Sequence, residues 1–350
     1  MAIPTEPIGS IPRTPELITA ITTQAGADNL GQLFDTALNE TLAAFEKTGS
    51  PVITDGEQTK PSFVTYPLHG LPNLASGGMR IDFADGHFRQ LPLLTAGPFK
   101  YANYAEQYLK VAKQKTSSPV KQAVISASAI SLIYPADGIA GYAREEFIAD
   151  LINECEKDIR LCLQSGAHKV QMDFTEGRLA LKLDPSGGVL KQFIDLNNQV
   201  FSRFTDEERA KIGVHVCPGG DHDSTHSADV DYTLFLPYLF ELNVGNFYLQ
   251  LASEQDKVKV LKTIKDYLKP NVMIFVGVTD VISNTIETAE VVRDRILEAA
   301  QYIPLNQLGT TDDCGFAPFC DDKSTSRDTA FAKIKARIDG TKLAADKLFA

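Results

Sequence analysis

The chain of 350 residues contains no tryptophan, only four methionines and only five cysteines. The cysteines stand at 155, 162, 217, 314 and 320, an odd number without paired spacing. A disulfide framework is therefore not the organising device, and a reduced, cytoplasmic setting is expected. No stretch approaches the roughly 18 uninterrupted apolar residues of a membrane span. The opening MAIPTEPIGSIPRT has neither the basic nor the apolar region of a secretory signal, so a soluble protein is expected. Basic clusters are missing too. With 34 Lys and Arg against 45 Asp and Glu, the formal net charge of -11 argues against nucleic acid and anionic membrane surfaces as partners.

What the sequence does contain is a repeated alternation of short apolar runs and longer helical patterns. The runs lie at 6–12, 51–57, 122–129, 169–176, 212–217, 246–252, 272–280 and 308–316. Most are rich in Val, Ile, Leu and Phe and too short for helices, as suits strands covered on both faces. Between them come amphipathic segments such as 145–166, ending at Gly166, and 285–304, stopping at Pro304. Eight strand-helix units without a compositional break predict an α/β fold, a single (β/α)8 barrel over residues 1–350. One segment departs from the pattern. Residues 80–97 alternate around Asp85-Gly86, which predicts a β-hairpin excursion after the second strand.

Polar and reactive residues gather at the C-terminal ends of these runs: Ser10, Glu57, Ser128, Asp173, His215 with Cys217, Gln250, Asp280 and Cys314. In a (β/α)8 barrel those ends converge on one mouth, where such enzymes build their active sites. His215 and Cys217 are two residues apart on one run, so an imidazole and a thiol share a face. The pattern alone admits a metal site, a nucleophile with its base, or two core residues.

Taken in order, Ile8-Gly9-Ser10 with Pro12-Arg13-Thr14, Thr54-Asp55-Gly56-Glu57, Val170-Gln171-Met172-Asp173, His215-Val216-Cys217, the segment 276–288 and Asp313-Cys314-Gly315-Phe316 resemble the catalytic C-terminal barrel of cobalamin-independent methionine synthases. That barrel lies in the superfamily that also holds uroporphyrinogen decarboxylase. The resemblance implies a single-barrel relative lacking the family's N-terminal barrel. It further implies a zinc-dependent alkyl transfer, methylating homocysteine or a related small thiol in methionine biosynthesis, with methyltetrahydrofolate as the alkyl donor. By resemblance, Zn2+ is held by His215, Cys217 and Cys314, and Gln250 occupies the place of the family's fourth ligand, a Glu. Ile8, Ser10, Glu57 and Asp173 match the positions that hold the amino-acid portion of homocysteine, with Glu57 and Asp173 as the catalytic carboxylates. Thiolates and imidazole suit zinc, and a catalytic zinc keeps one position open.

The departures are specific. Gln250 makes the metal shell neutral rather than anionic, Phe174 follows Asp173 where the family has Glu, and 58-QTK-60 replaces a Pro-Glu-Arg loop. Without tryptophan, the indole that packs on the folate ring in the family is missing. These changes keep other outcomes open: another zinc-thiolate transfer, a lyase reaction, or a non-catalytic zinc barrel. Beyond the family positions, Cys155 and Cys162 read as two small core residues on one helix face. His222 and His226 with Asp221 and Asp223 read as a substrate-binding loop or a solvated polar turn. Glu57 and Asp173 could simply pair with Arg13 or Lys60.

Overall fold

Six of the eight expected runs lie side by side as parallel strands. In the computed structural model, which describes residues 2–23 and 29–350, the order is Leu308–Thr311, Met273–Gly277, Asn246–Leu249, Ile212–Val216, Val170–Asp173 and Gln122–Ile125. Nearly every residue of these strands is buried, because helices cover the outside and side chains fill the inside.

The other two runs close the ring without forming full strands. Thr5 bridges in parallel to Thr310, and Ile53 bridges to Val120. The Thr54 hydroxyl donates to the Gly9 carbonyl at 2.8 Å, and the Ile11 N–H to Gly56 at 3.0 Å, joining the first run to the second. Both are short for a physical reason. Pro4, Pro7 and Pro12 remove donors from the first. In the second, Gly56 and Glu57 turn left-handed at φ 65° and 56° and end the extension.

The helices follow the sequence pattern with trimmed ends. Arg144–Gln164 stops two residues before Gly166, which is left-handed at φ 75° and turns the chain out of the helix. Cys155 and Cys162 are both buried on it, as expected of core residues. The pattern over 285–304 shortens to Ala289–Ala299, because the Thr288 hydroxyl accepts the Val291 N–H and caps the helix there.

The hairpin is present. Arg80–Asp82 pairs antiparallel with Phe88–Gln90, and Gly86 at φ 93° makes the turn. It crosses to the loop that follows Ile212–Val216, where Ala84 N–H donates to the Thr225 carbonyl at 3.0 Å. There Arg89 Nε donates to the buried Asp221 at 2.5 Å, and its two terminal nitrogens reach Asp321 at 2.9 and 2.8 Å. The polar turn at 221–226 thus latches the hairpin through Asp221 and Thr225, while His222 remains exposed. Among the described residues, no helix is long and apolar enough to cross a membrane.

Candidate active site and metal centre

The parallel register sets the site. Asp173 lies level with His215, and His215 with Tyr248, so the ends of adjacent strands stand at one height. Cys217 follows one residue beyond its strand, and Cys314 comes from the turn after Leu308–Thr311. One ligand atom from each of His215, Cys217 and Cys314 falls within 4.8 Å of the other two. Ligands at about 2.0–2.3 Å from a tetrahedral ion stand roughly 3.5 Å apart, so the cluster has the size of a metal shell.

Two observations fit the group to a metal. Among the described residues, neither buried ring nitrogen of His215 has a hydrogen-bond partner of good geometry, the Cys217 sulfur being the group it interacts with, an arrangement costly for an imidazole unless something else is bound. The sulfurs of Cys217 and Cys314 are 3.0 Å apart, too far for a disulfide bond of about 2.05 Å, and both cysteines are free. The Cys314 thiol's hydrogen bond holds Cys217 well below the usual thiol range despite burial, aided by the charge of His215 and the Gly219 N–H at 3.4 Å.

The residues of 313-DCG-315 divide the labour of presenting Cys314. The Asp313 carboxylate accepts the N–H groups of Leu251, Ala252 and Ser253 at 2.7–2.9 Å, together with the Ser253 hydroxyl at 2.6 Å. It thereby ties the turn bearing Cys314 to the loop that follows Gln250. Gly315 must lack a side chain, since a Cβ there would stand 2.2 Å from Ser10 Oγ.

A cavity of about 420 Å3 opens beside the cluster, lined among others by Ile8, Ser10, Glu57, Asp173, His215 and Cys314. A second, of about 220 Å3, is lined by Cys217, Gln250, Asp313 and Cys314. Cys314 faces both, so the candidate metal position divides two chambers. Gln250 gives its amide nitrogen away, to Ser253 Oγ at 2.8 Å and Glu254 Oε1 at 3.0 Å. No hydrogen bond reaches its oxygen among the described residues. Glu254 is in turn paired with Arg178 at 2.6 Å.

The acidic side of the large cavity is only partly spent on internal pairing. Glu57 Oε1 accepts from Lys60 Nζ at 3.0 Å, and Lys60 also donates to the Ala123 carbonyl at 3.0 Å and lies 4.6 Å from the Tyr66 ring centre. Among the described residues Arg13 pairs with no carboxylate; it donates to the backbone oxygens of Glu57, Lys60, Ala317 and Phe319. It thus fixes the turn that carries Glu57. Asp173 accepts from Gln171 Nε2 at 2.8 Å. Burial pushes Asp173 up to about 6, with Glu57 adding and His215 opposing.

Sequence reasoning misses Glu176, which also lines this cavity, as does His226 of the polar turn. Glu176 follows the strand end by three residues, and its position in the first turn of Glu176–Leu183 is the available signal. His226 is buried, and a Cβ on Gly219 would stand 1.7 Å from its Nε2, so that glycine is what admits the ring. A second group, Asp221, His222 and Asp322, is close enough for a metal. Asp221 is, however, already neutralised by Arg89.

Comparison with known proteins identifies the family. A family model described as the cobalamin-independent synthase catalytic domain matches residues 3–339. A methionine synthase of Saccharolobus solfataricus is 21% identical over 99% of this chain and 96% of its own. One from Sulfurisphaera tokodaii is 24% identical over 99% and 94%. Among solved structures, a B12-independent methionine synthase from Shewanella sp. W3-18-1, in complex with selenomethionine, superposes with a TM-score of 0.77 at 20% identity, covering 100% of this chain and 99% of that one. The putative vitamin-B12 independent methionine synthase of Listeria monocytogenes gives 0.67 at 22% identity, covering 99% of each. The fold is thus the (β/α)8 barrel, and the chain belongs to the catalytic-domain family of the cobalamin-independent synthases, enzymes of the methyltransferase class.

Proposed function

We propose that this protein is a zinc-dependent S-methyltransferase that methylates homocysteine, or a closely related amino-acid thiol, using a methylated folate and no cobalamin. The observation that carries this reading is the convergence of His215, Cys217 and Cys314, with neither imidazole nitrogen holding a well-formed hydrogen bond among the described residues, beside a cavity that is also lined by Ser10, Glu57 and Asp173. His215, Cys217 and Cys314 would hold the zinc, with Gln250 beside them. When bound, the ion supplies Lewis acidity that lowers the pKa of the substrate thiol.

The protein's own groups do the orienting. Glu57 keeps Oε2 free of protein hydrogen bonds among the described residues, and with Asp173 it receives the substrate ammonium. The Ser10 oxygen accepts the Ala317 N–H at 3.2 Å, leaving its hydroxyl hydrogen for the substrate carboxylate. Ile8 gives an apolar wall beneath the substrate chain. Fixing sulfur and methyl donor in line is the main contribution a direct displacement needs.

Elemental analysis of protein purified without added metal, followed by assay of methionine formed from homocysteine and a methylated folate, tests the reading. About one zinc per chain and homocysteine-dependent product are expected. Protein that neither retains zinc nor forms methionine when zinc is resupplied overturns it.

A further inference from the structure

Glu176 is buried in the turn just beyond the strand that ends at Asp173, and it lines the cavity shared by Asp173, His215 and Cys314. Its two carboxyl oxygens have unlike surroundings. Oε1 accepts the hydroxyls of Ser126 and Ser128, each at 2.5 Å, whereas Oε2 is buried without a partner among the described residues. The serines are themselves oriented. Ser126 Oγ accepts the Ala129 N–H at 3.1 Å, and Ser128 Oγ accepts from Asn197 Nδ2 at 2.8 Å. Each hydroxyl's single hydrogen is therefore committed to Oε1, which serves only as an acceptor.

An ionised Glu176 would leave charge on an oxygen with no donor, a costly arrangement in a buried site. A proton on Oε2 removes that charge and makes the oxygen a donor. The groups packed around it do not oppose this. Ser126, Ser128 and Asn197 are neutral, Asp173 bears the same charge, and no cation pairs with Glu176 among the described residues. Burial accordingly pushes Glu176 up to about 7, only partly countered by the serine bonds and by its own backbone N–H.

We propose that Glu176 is the general acid of the methyl transfer, giving the proton on Oε2 to the donor atom from which the methyl group departs. The proposal rests on the methyl-transfer reading above. In the step, the substrate sulfur gives an electron pair to the methyl carbon as the bond from that carbon to the donor nitrogen breaks. The nitrogen takes the Glu176 proton and leaves as a neutral N–H. Glu176, now a carboxylate, regains through water the proton that the substrate thiol released, so charge and protons balance without an oxidant.

The test uses Glu176→Gln in the full chain loaded with zinc, comparing two methyl donors for homocysteine. Methylated folate needs its nitrogen protonated; methyl iodide leaves as iodide and needs no proton. A general acid contributes about 10²–10⁴-fold, so the variant should lose that factor with folate relative to methyl iodide. In infrared difference spectra, wild type should show a protonated-carboxyl band, titrating near 7, that Glu176→Gln lacks. Should Glu176→Gln fold poorly, Ser128→Ala keeps the carboxyl and should move that midpoint upward. Equal slowing with both donors, or no such band, overturns the role of Glu176 alone. Failure of wild type with both donors removes the methyl-transfer reading, and this role with it.

Discussion

Replacing Glu57 with Gln separates what this carboxylate does for the fold from what it does for the substrate. The amide keeps the shape of the side chain but withdraws the charge that faces the buried Lys60 ammonium at 3.0 Å. Burial opposes the Lys60 charge, and the carboxylates of Glu57 and Asp55 outweigh it, holding Lys60 above its ordinary value. Breaking a buried pair from one side costs about 3–5 kcal/mol. Asp55 and the Ala123 carbonyl remain for Lys60, which places the expected loss near the lower end, about 3 kcal/mol. Urea unfolding should show this as a lower midpoint at unchanged slope, and Glu57→Gln with Lys60→Met should recover most of it. For the substrate, losing a charge-assisted bond of about 1.5–3 kcal/mol raises KM roughly 10- to 150-fold. That rise should appear with homocysteine and be small with a thiol of similar length lacking the amine. An unchanged midpoint refutes the pairing argument, and an equal rise for both thiols refutes the assignment of the ammonium site.

Two further outcomes follow from the same geometry. Gln250→Glu places a second carboxylate 3.0 Å from Glu254 where the amide now donates, so the new side chain should turn toward Cys217 and Cys314 and tighten zinc against a chelator; unchanged zinc affinity would put residue 250 outside the metal shell. Glu6 is pushed up by burial, but the His168 hydrogen bond and the Lys121 and Lys169 charges outweigh this and hold it well below the usual carboxylate range. A depressed carboxylate stabilises the fold above its unfolded value of about 4.5 and loses that contribution as pH falls toward the folded value. The stability difference between wild type and Glu6→Gln, from urea unfolding, should therefore shrink as pH is lowered from neutral through that value, and a pH-independent difference would contradict it.

The barrel was legible because its strands are buried on both faces, so each appears as a short apolar run whatever its neighbours are. Strand length was less legible. The prolines at 4, 7 and 12 and the left-handed pair Gly56-Glu57 reduce the first two runs to single bridges, although apolar content alone predicts full strands. Asp85-Gly86 announced the hairpin because a turn is a local event. Its docking was not announced. Arg89 meets Asp221 and Asp321 across 132 and 232 residues, and nothing in the local composition of a polar loop names a partner so distant.

The site divides along the same line, between what a spacing records and what only three dimensions assemble. A two-residue spacing on a strand put His215 and Cys217 on one face, but it was the resemblance carried by 313-DCG-315 that joined Cys314 to them; the structure adds that Asp313 and Gly315 have fixed tasks in holding it. The acidic groups were harder to place. Following the strand, attention falls on position 174, yet Phe174 is buried against Phe235. The acidic residue that lines the cavity there is Glu176, on the next turn. The amide at position 250 has an electrostatic consequence. Gln250 in place of a carboxylate would leave a zinc ion with two thiolates near neutrality, and Arg178 cancels the nearby charge of Glu254. A neutral metal centre does not repel the negative charge of Glu57 and Asp173 across the cavity, which an anionic shell would do at short range in a poorly solvated site. The amide at 250 therefore lessens the repulsion between such a shell and the acidic cavity wall, whereas a carboxylate at 250 would add to it.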